Sequence, residues 1–322
     1  MTGKTEYLEI GTKRKELKKK FRLLKNSQLS WFEAEAKELF ELKRLPTRTP
    51  ESILQQILGK SPNDADKKAR TKDYYISNTI GFLSALNSLL TEDFIEAFGF
   101  CKKDNELLNY NYHRLVQHLL LDSLVMLNEY SVYVANIEPK YGVGKSNGQH
   151  TLTLYQSLRQ SIYGQSSFHS FREVEPDLSI TIIRQLVELR VRRAFGILGW
   201  YDSSKKSLEP LAMSKIFEVL KNHESDIEMA IPLSMIVRIN GWSNIFLHSG
   251  FKEYGWKHIL VTEYLKQFSL GKSPGENGFN VNSGFSTTQA TLDSIVNKLE
   301  SGHPSGAEVI RCTPELVIKN GV

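Results

Sequence analysis

Asn244 and His248 are the side chains whose types and spacing are best suited to chemistry. Between Leu233 and Ser249, residues Val237, Gly241, Asn244 and His248 recur at i, i+4, i+7 and i+11, so a helix stacks Asn244 and His248 one turn apart. Gly241 leaves room beneath them. An imidazole beside an amide and above a gap is suited to proton transfer near neutral pH. A second reading stays open, in which His248 caps its own helix by bonding a neighbouring carbonyl.

These residues need a helix to hold them, and the pattern supplies one. Met235, Ile239, Trp242 and Phe246 fall at i, i+4, i+7 and i+11 on nearly the opposite side, an apolar stripe that requires a partner. Ser249 and Gly250 are expected to end the helix, since glycine readily takes the left-handed conformation past a C-terminus. A second strong helix is predicted after Pro176-Asp177, with Ile183, Val187, Val191, Ala194 and Leu198 as its stripe. Arg184, Glu188 and Arg192 form an i, i+4 charge ladder on a face expected to be exposed. Arg190 and Arg193 flank the apolar rows, either reaching into a groove or extending from a buried helix toward water.

The run Trp242-Ser243-Asn244-Ile245-Phe246-Leu247-His248 resembles the motif-bearing helix of HEPN proteins, helical-bundle domains common in bacterial toxin and defence systems, many of which cut RNA without metal. The resemblance covers about residues 178–268. The family motif separates an arginine from the histidine by four to six residues, and here Ser243 and Trp242 stand at the two nearer positions with Gly241 before them. Arg238 is ten residues from His248, about 15 Å along a helix axis at 1.5 Å per residue. The resemblance implies His248 as general acid/base for attack by a ribose 2′-hydroxyl. Asn244 would orient the phosphate or His248, and Arg193 or Arg190 would supply the cation from another helix. It equally accommodates an inactive relative that only binds.

Length and composition frame these readings. The 322 residues are 40% hydrophobic and 24% charged, as in ordinary globular proteins. No apolar run reaches bilayer length and the first residues lack a signal-peptide core, so the expected location is cytoplasmic, with no membrane partner. Cys101 and Cys312 are far apart, without metal or redox spacing. The net charge of +5 is local: residues 13–25 carry eight basic residues and one acidic, leaving 33 basic and 35 acidic elsewhere. There Leu17, Phe21 and Leu24 make a narrow apolar face on a cationic helix whose Lys13, Arg14, Lys18, Lys19, Arg22 and Lys25 are candidate phosphate contacts. The alternatives are a solvated helix packed by that stripe and, because the face is narrow, only distantly a membrane-surface helix.

Along the rest of the chain, Thr49-Pro50-Glu51 opens a short helix, and residues 60–72 form a linker. Helices are expected from Asp73 to Leu90 and from about Asn105, the latter ending in a β-branched strand, Ser131 to Ile137. His113 and His118 lie about 140° apart around that helix, which does not suit zinc. Gly144-Lys145-Ser146 is not a phosphate loop, because Pro139 stands where the motif needs its first glycine. Two similar units near Ser214 and Ser234 suggest a small pair of strands. The stretch after Phe268 reads as a loop, followed by a helix from Thr288 and a terminal strand broken at Pro314.

The expected architecture is a mainly α, multi-helix bundle with a few short strands in the C-terminal half. It divides into a helical region 1–140, a helical bundle with strands 150–270, and a loop-rich segment 271–322. No cofactor or metal is called for. The function expected is interaction, with RNA or a protein as partner, and metal-independent RNA cleavage is the alternative.

Overall fold

A computed structural model describes residues 29–58, 70–89, 106–143, 179–249, 254–271, 280–302 and 307–319, with the side chains of 106–114 and 270 excepted. The cationic run 13–25, with Lys13, Arg14, Lys18, Lys19, Arg22 and Lys25, lies outside the described residues, as do Cys101 and the glycine-rich loop after 143. The chain divides into two units, Met1–Ile180 with Ile245–Leu260 and Thr181–Asn244 with Val261–Val322.

The first unit is helical. Helices α1 (Leu29–Leu39), α2 (Pro50–Ile57), α3 (Lys72–Leu89) and α4 (Glu106–Tyr130) lead to α5 (Ser179–Ala194), of which only the first two residues belong here. Helix α2 starts where capping chemistry places it: Thr49 accepts a hydrogen bond from the Ser52 amide at 3.2 Å, ahead of a first-turn proline. Phe32, Phe40, Tyr75, Phe82, Tyr130, Tyr254 and Trp256 form the aromatic part of its core. A polar cluster runs through that core. Glu129 takes Arg70 at 2.9 Å and the Tyr254 hydroxyl, Asp122 accepts the Gly255 amide at 3.0 Å, and Asn78 accepts the Trp256 indole at 3.2 Å.

Ser131–Ala135 is a π-helix, not the expected strand. The β-branched side chains do not decide the backbone there, because α4 simply continues. Ser131 Oγ donates to the Leu127 carbonyl at 3.0 Å, and Asn136 then reverses the chain at φ 53°. Asn128 pins the returning segment with two bonds to the Tyr141 backbone, at 2.7 and 3.1 Å.

The second unit takes the rest of α5, then β1 (Ile197–Asp202), β2 (Ser207–Pro210), α6 (Met213–Asn222), β3 (Glu228–Met229) and α7 (Leu233–Ser249), the last up to Asn244. It continues with the end of α8 (Gly255–Tyr264), α9 (Lys266–Leu270), β4 (Phe285–Thr288), α10 (Gln289–Glu300), β5 (Ala307–Arg311) and β6 (Val317–Lys319). The strands form two three-stranded sheets, in the orders β2-β1-β5 and β3-β4-β6. The fold is therefore mainly α, with small strands in the C-terminal half.

Several expectations change here. Helix α5 stops at Ala194, and Leu198 lies in β1. Gly196 makes the corner at φ 72°, where an added Cβ would meet the Cys312 carbonyl oxygen at 2.7 Å. The two similar units do not pair with one another, since β2 bonds β1 and β3 bonds β4. The stretch after Phe268 contains β4, and the two halves of the terminal strand join different sheets. Apart from the β1–β2 hairpin, each pairing is non-local, so local residue patterns carry no signal for it.

Candidate functional site

Helix α5 carries Arg184, Glu188 and Arg192 at successive i, i+4 positions, and the three side chains connect. Arg184 Nε donates to Glu188 Oε1 at 2.7 Å, while Arg192 Nη1 lies 3.3 Å from Glu188 Oε2. One carboxylate thus faces two guanidinium groups, leaving one net positive charge. The ladder is not on an open face: side-chain exposures are 26, 17 and 12%. Arg192 also donates from Nε and Nη2 to the Leu211 carbonyl, at 3.3 and 3.0 Å, which fixes the approach to α6.

The facing wall is α7. Val237, Asn240, Gly241 and Asn244 fall at i, i+3, i+4 and i+7, and together with the α5 ladder they line a groove of about 550 Å³. Met235, Ile239 and Trp242 are buried on the other side of the helix, as their stripe requires. A third wall, from Pro210 to Ser214 with Phe217, contributes the apolar surface of Leu211 and Met213. Gly241 does leave room, since a Cβ built there would meet nothing within 4 Å.

Two features define the chemistry of the groove. Arg184 Nη1 donates to Asn244 Oδ1, so the asparagine is held by an arginine from another helix. Asn240 is 6% exposed, yet its Nδ2 has no hydrogen-bond partner. A buried donor left in that state costs about 1–3 kcal/mol. The groove thus combines positive charge, amides and an apolar wall, a donor-rich setting for an anion attached to an apolar body.

No family model, curated protein or solved structure matches this chain.

Of the residues singled out from sequence, Asn244 lies in the groove and the two flanking arginines do not. Arg190 is 6% exposed and ties the second unit together. It donates to the carbonyls of Phe268 at 3.2 Å, Glu315 at 3.1 Å and Val281, and its guanidinium lies 5.1 Å from the Phe285 ring centroid. Burial pulls its pKa below the ordinary arginine value, against the opposing pull of Glu315. Gly284 makes space for it, as a Cβ there would lie 2.8 Å from Arg190 Nη2. Arg193 is half-exposed and pairs with Glu315 at 3.0 Å.

His248 is exposed in the last turn of α7, within the part of the helix that belongs to the first unit. Among the described residues no three His, Cys, Asp or Glu side chains come together to hold a metal, and no helix is long and apolar enough to cross a membrane. Arg184, Glu188, Arg192 and Asn240 are groove residues that their spacing in the sequence does not assign to a site. The signal for Asn240 was its place one turn before Asn244, on the face that carries Val237 and Gly241.

Proposed function

We propose that this chain is an RNA-binding interaction protein that holds its partner without cleaving it, through a phosphate received by the groove of the second unit. The observation that carries this is the Arg184–Asn244 bond: a guanidinium and an amide converge where one net positive charge lies beside an apolar wall. Arginine is suited to this task because its planar fork matches phosphate oxygens. Lys13, Arg14, Lys18, Lys19, Arg22 and Lys25 add sequence-independent contacts to the backbone in this reading. A multi-helix bundle, a cytoplasmic setting and a role in a bacterial defence or toxin-type system belong to the same proposal, through the HEPN resemblance.

Metal-independent cleavage with His248 as acid/base is the second reading. One observation favours it: Asn244, four residues before His248, receives an arginine from another helix, although from Arg184 and not from Arg193 or Arg190. The experiment is an RNA gel in EDTA with the full chain, His248→Ala and Arg184→Ala. Retardation without cleavage, unchanged in His248→Ala and weakened in Arg184→Ala, supports the binding reading. Cleavage lost in His248→Ala replaces it with the nuclease reading, and absence of retardation removes RNA as the partner.

A further inference from the structure

We infer that the groove of the second unit takes a whole nucleotide, base included, and that Asn240 selects the base by donating to a ring carbonyl. This deepens the proposed function and rests on its reading of the groove as an anion site.

The groove has two chemically different parts. Arg184, Glu188, Arg192 and Asn244 make a polar part with one net positive charge, in which both Glu188 oxygens are already engaged by arginines. A phosphate suits that part and would leave the remainder unused. The remainder is apolar on one side, with Leu211, Met213 and Phe217, and presents Asn240 and Gly241 on the other. Asn240 Nδ2 is a donor enclosed by protein with nothing to donate to. Side-chain amides turn about a broad terminal torsion, so this N–H can swing toward an acceptor that enters beside it. The space over Gly241 is open where a ring would enter, since a Cβ built there would meet nothing within 4 Å.

The occupant that satisfies both parts is an organic anion with a flat, largely apolar ring bearing a carbonyl oxygen. A pyrimidine nucleotide has this form: the phosphate is anionic, the ring faces suit an apolar wall, and the carbonyls accept a hydrogen bond from an asparagine. The volume of about 550 Å³ lies in the range of sites that enclose small ligands. A single nucleotide and one nucleotide of an RNA strand present the same chemistry to these residues, so a mononucleotide is a sufficient probe.

The test is calorimetric titration of the full chain with uridine 5′-monophosphate, ribose 5-phosphate and inorganic phosphate, repeated with Asn240→Leu and with Gly241→Leu. Asn240→Leu removes the donor at similar size, and Gly241→Leu fills the open space without touching the polar part. Thermal melting confirms that both variants are folded. The expected result is that uridine monophosphate binds about tenfold or more tightly than ribose 5-phosphate, as one good hydrogen bond and a buried ring allow. Both variants should erase that difference, read as the ratio of the two affinities within each protein. Equal affinity for the two ligands, or a difference that survives both variants, overturns the inference and leaves the anion site standing. Failure of all three ligands to bind overturns the inference and the anion site together. If an oligouridylate binds while the mononucleotide does not, recognition is of the strand and the single-nucleotide pocket is rejected.

Discussion

Arg184 on α5 donates to the side-chain oxygen of Asn244 on α7, joining two helices through residues 60 positions apart in sequence. Each partner has a second role. Arg184 also holds Glu188, and Asn244 closes the face on which Gly241 leaves space. The bond therefore sets the polar part of the groove.

Arg184→Ala should weaken RNA binding by about tenfold or more, the equivalent of one charge-assisted hydrogen bond. Stability should fall by no more than about 1 kcal/mol, because Glu188 keeps Arg192 and the pair it loses is partly exposed. Retardation assays and urea denaturation on the same preparations separate the two effects.

Arg190→Met should behave in the opposite way. It removes the donor to three backbone carbonyls, and leaving buried acceptors unpaired costs about 3–5 kcal/mol. Arg190→Lys should not restore the loss, since an ammonium cannot reproduce the planar fork that reaches all three. Gly284→Ala should destabilise too, by about 1–3 kcal/mol, through its 2.8 Å approach to Arg190 Nη2 and the Phe268 carbonyl. Denaturation midpoints that match wild type in all three would show that this arginine does not hold the unit.

In the first unit, Arg70→Met should cost about 3–5 kcal/mol by leaving the Glu129 carboxylate buried without its ion pair. The double variant Arg70→Met, Glu129→Leu should recover part of the loss. A double variant no more stable than Arg70→Met alone would refute this pairing.

The Arg48–Asp73 pair predicts a pH dependence. Hydrogen bonding from Arg48 holds the Asp73 carboxyl below the usual carboxylate range against the opposing effect of burial, and the Arg48 charge adds a lesser pull in the same direction as the bond. A depressed folded pKa means stability that is present above the unfolded pKa, about 4, and lost as pH falls through the folded value. The stability difference between wild type and Arg48→Met should therefore be constant from neutral pH down to about 5 and shrink in stronger acid. A difference that stays constant to the acid limit of folding would contradict the assignment.

What was legible in the sequence follows the range of the forces involved. Helix α2 was readable from Thr49 and Pro50 because capping is local, and the buried stripe of α7 was readable because its period is that of the helix itself. One wall of the groove, Val237, Gly241 and Asn244, was legible for the same reason. The opposite wall was not. An Arg-Glu-Arg ladder has the same spacing whether it faces water or a groove, and only the position of α7 distinguishes the two. Arg190 was ambiguous on the same grounds, since the carbonyls that bind it come from Phe268, Val281 and Glu315, far along the chain. Ser131–Ala135 has the β-branched composition of a strand, but the continuation of α4 decides its backbone.

The most direct measurement is the affinity of the full chain for an end-labelled oligoribonucleotide in EDTA, wild type beside Arg184→Ala, across a series of salt concentrations. The account predicts a complex that weakens with salt and leaves the RNA intact. Arg184→Ala should bind about tenfold or more weakly, with a salt slope shallower by about one phosphate contact. Identical affinity and slope in the two proteins would contradict the claim that this groove holds the partner's phosphate.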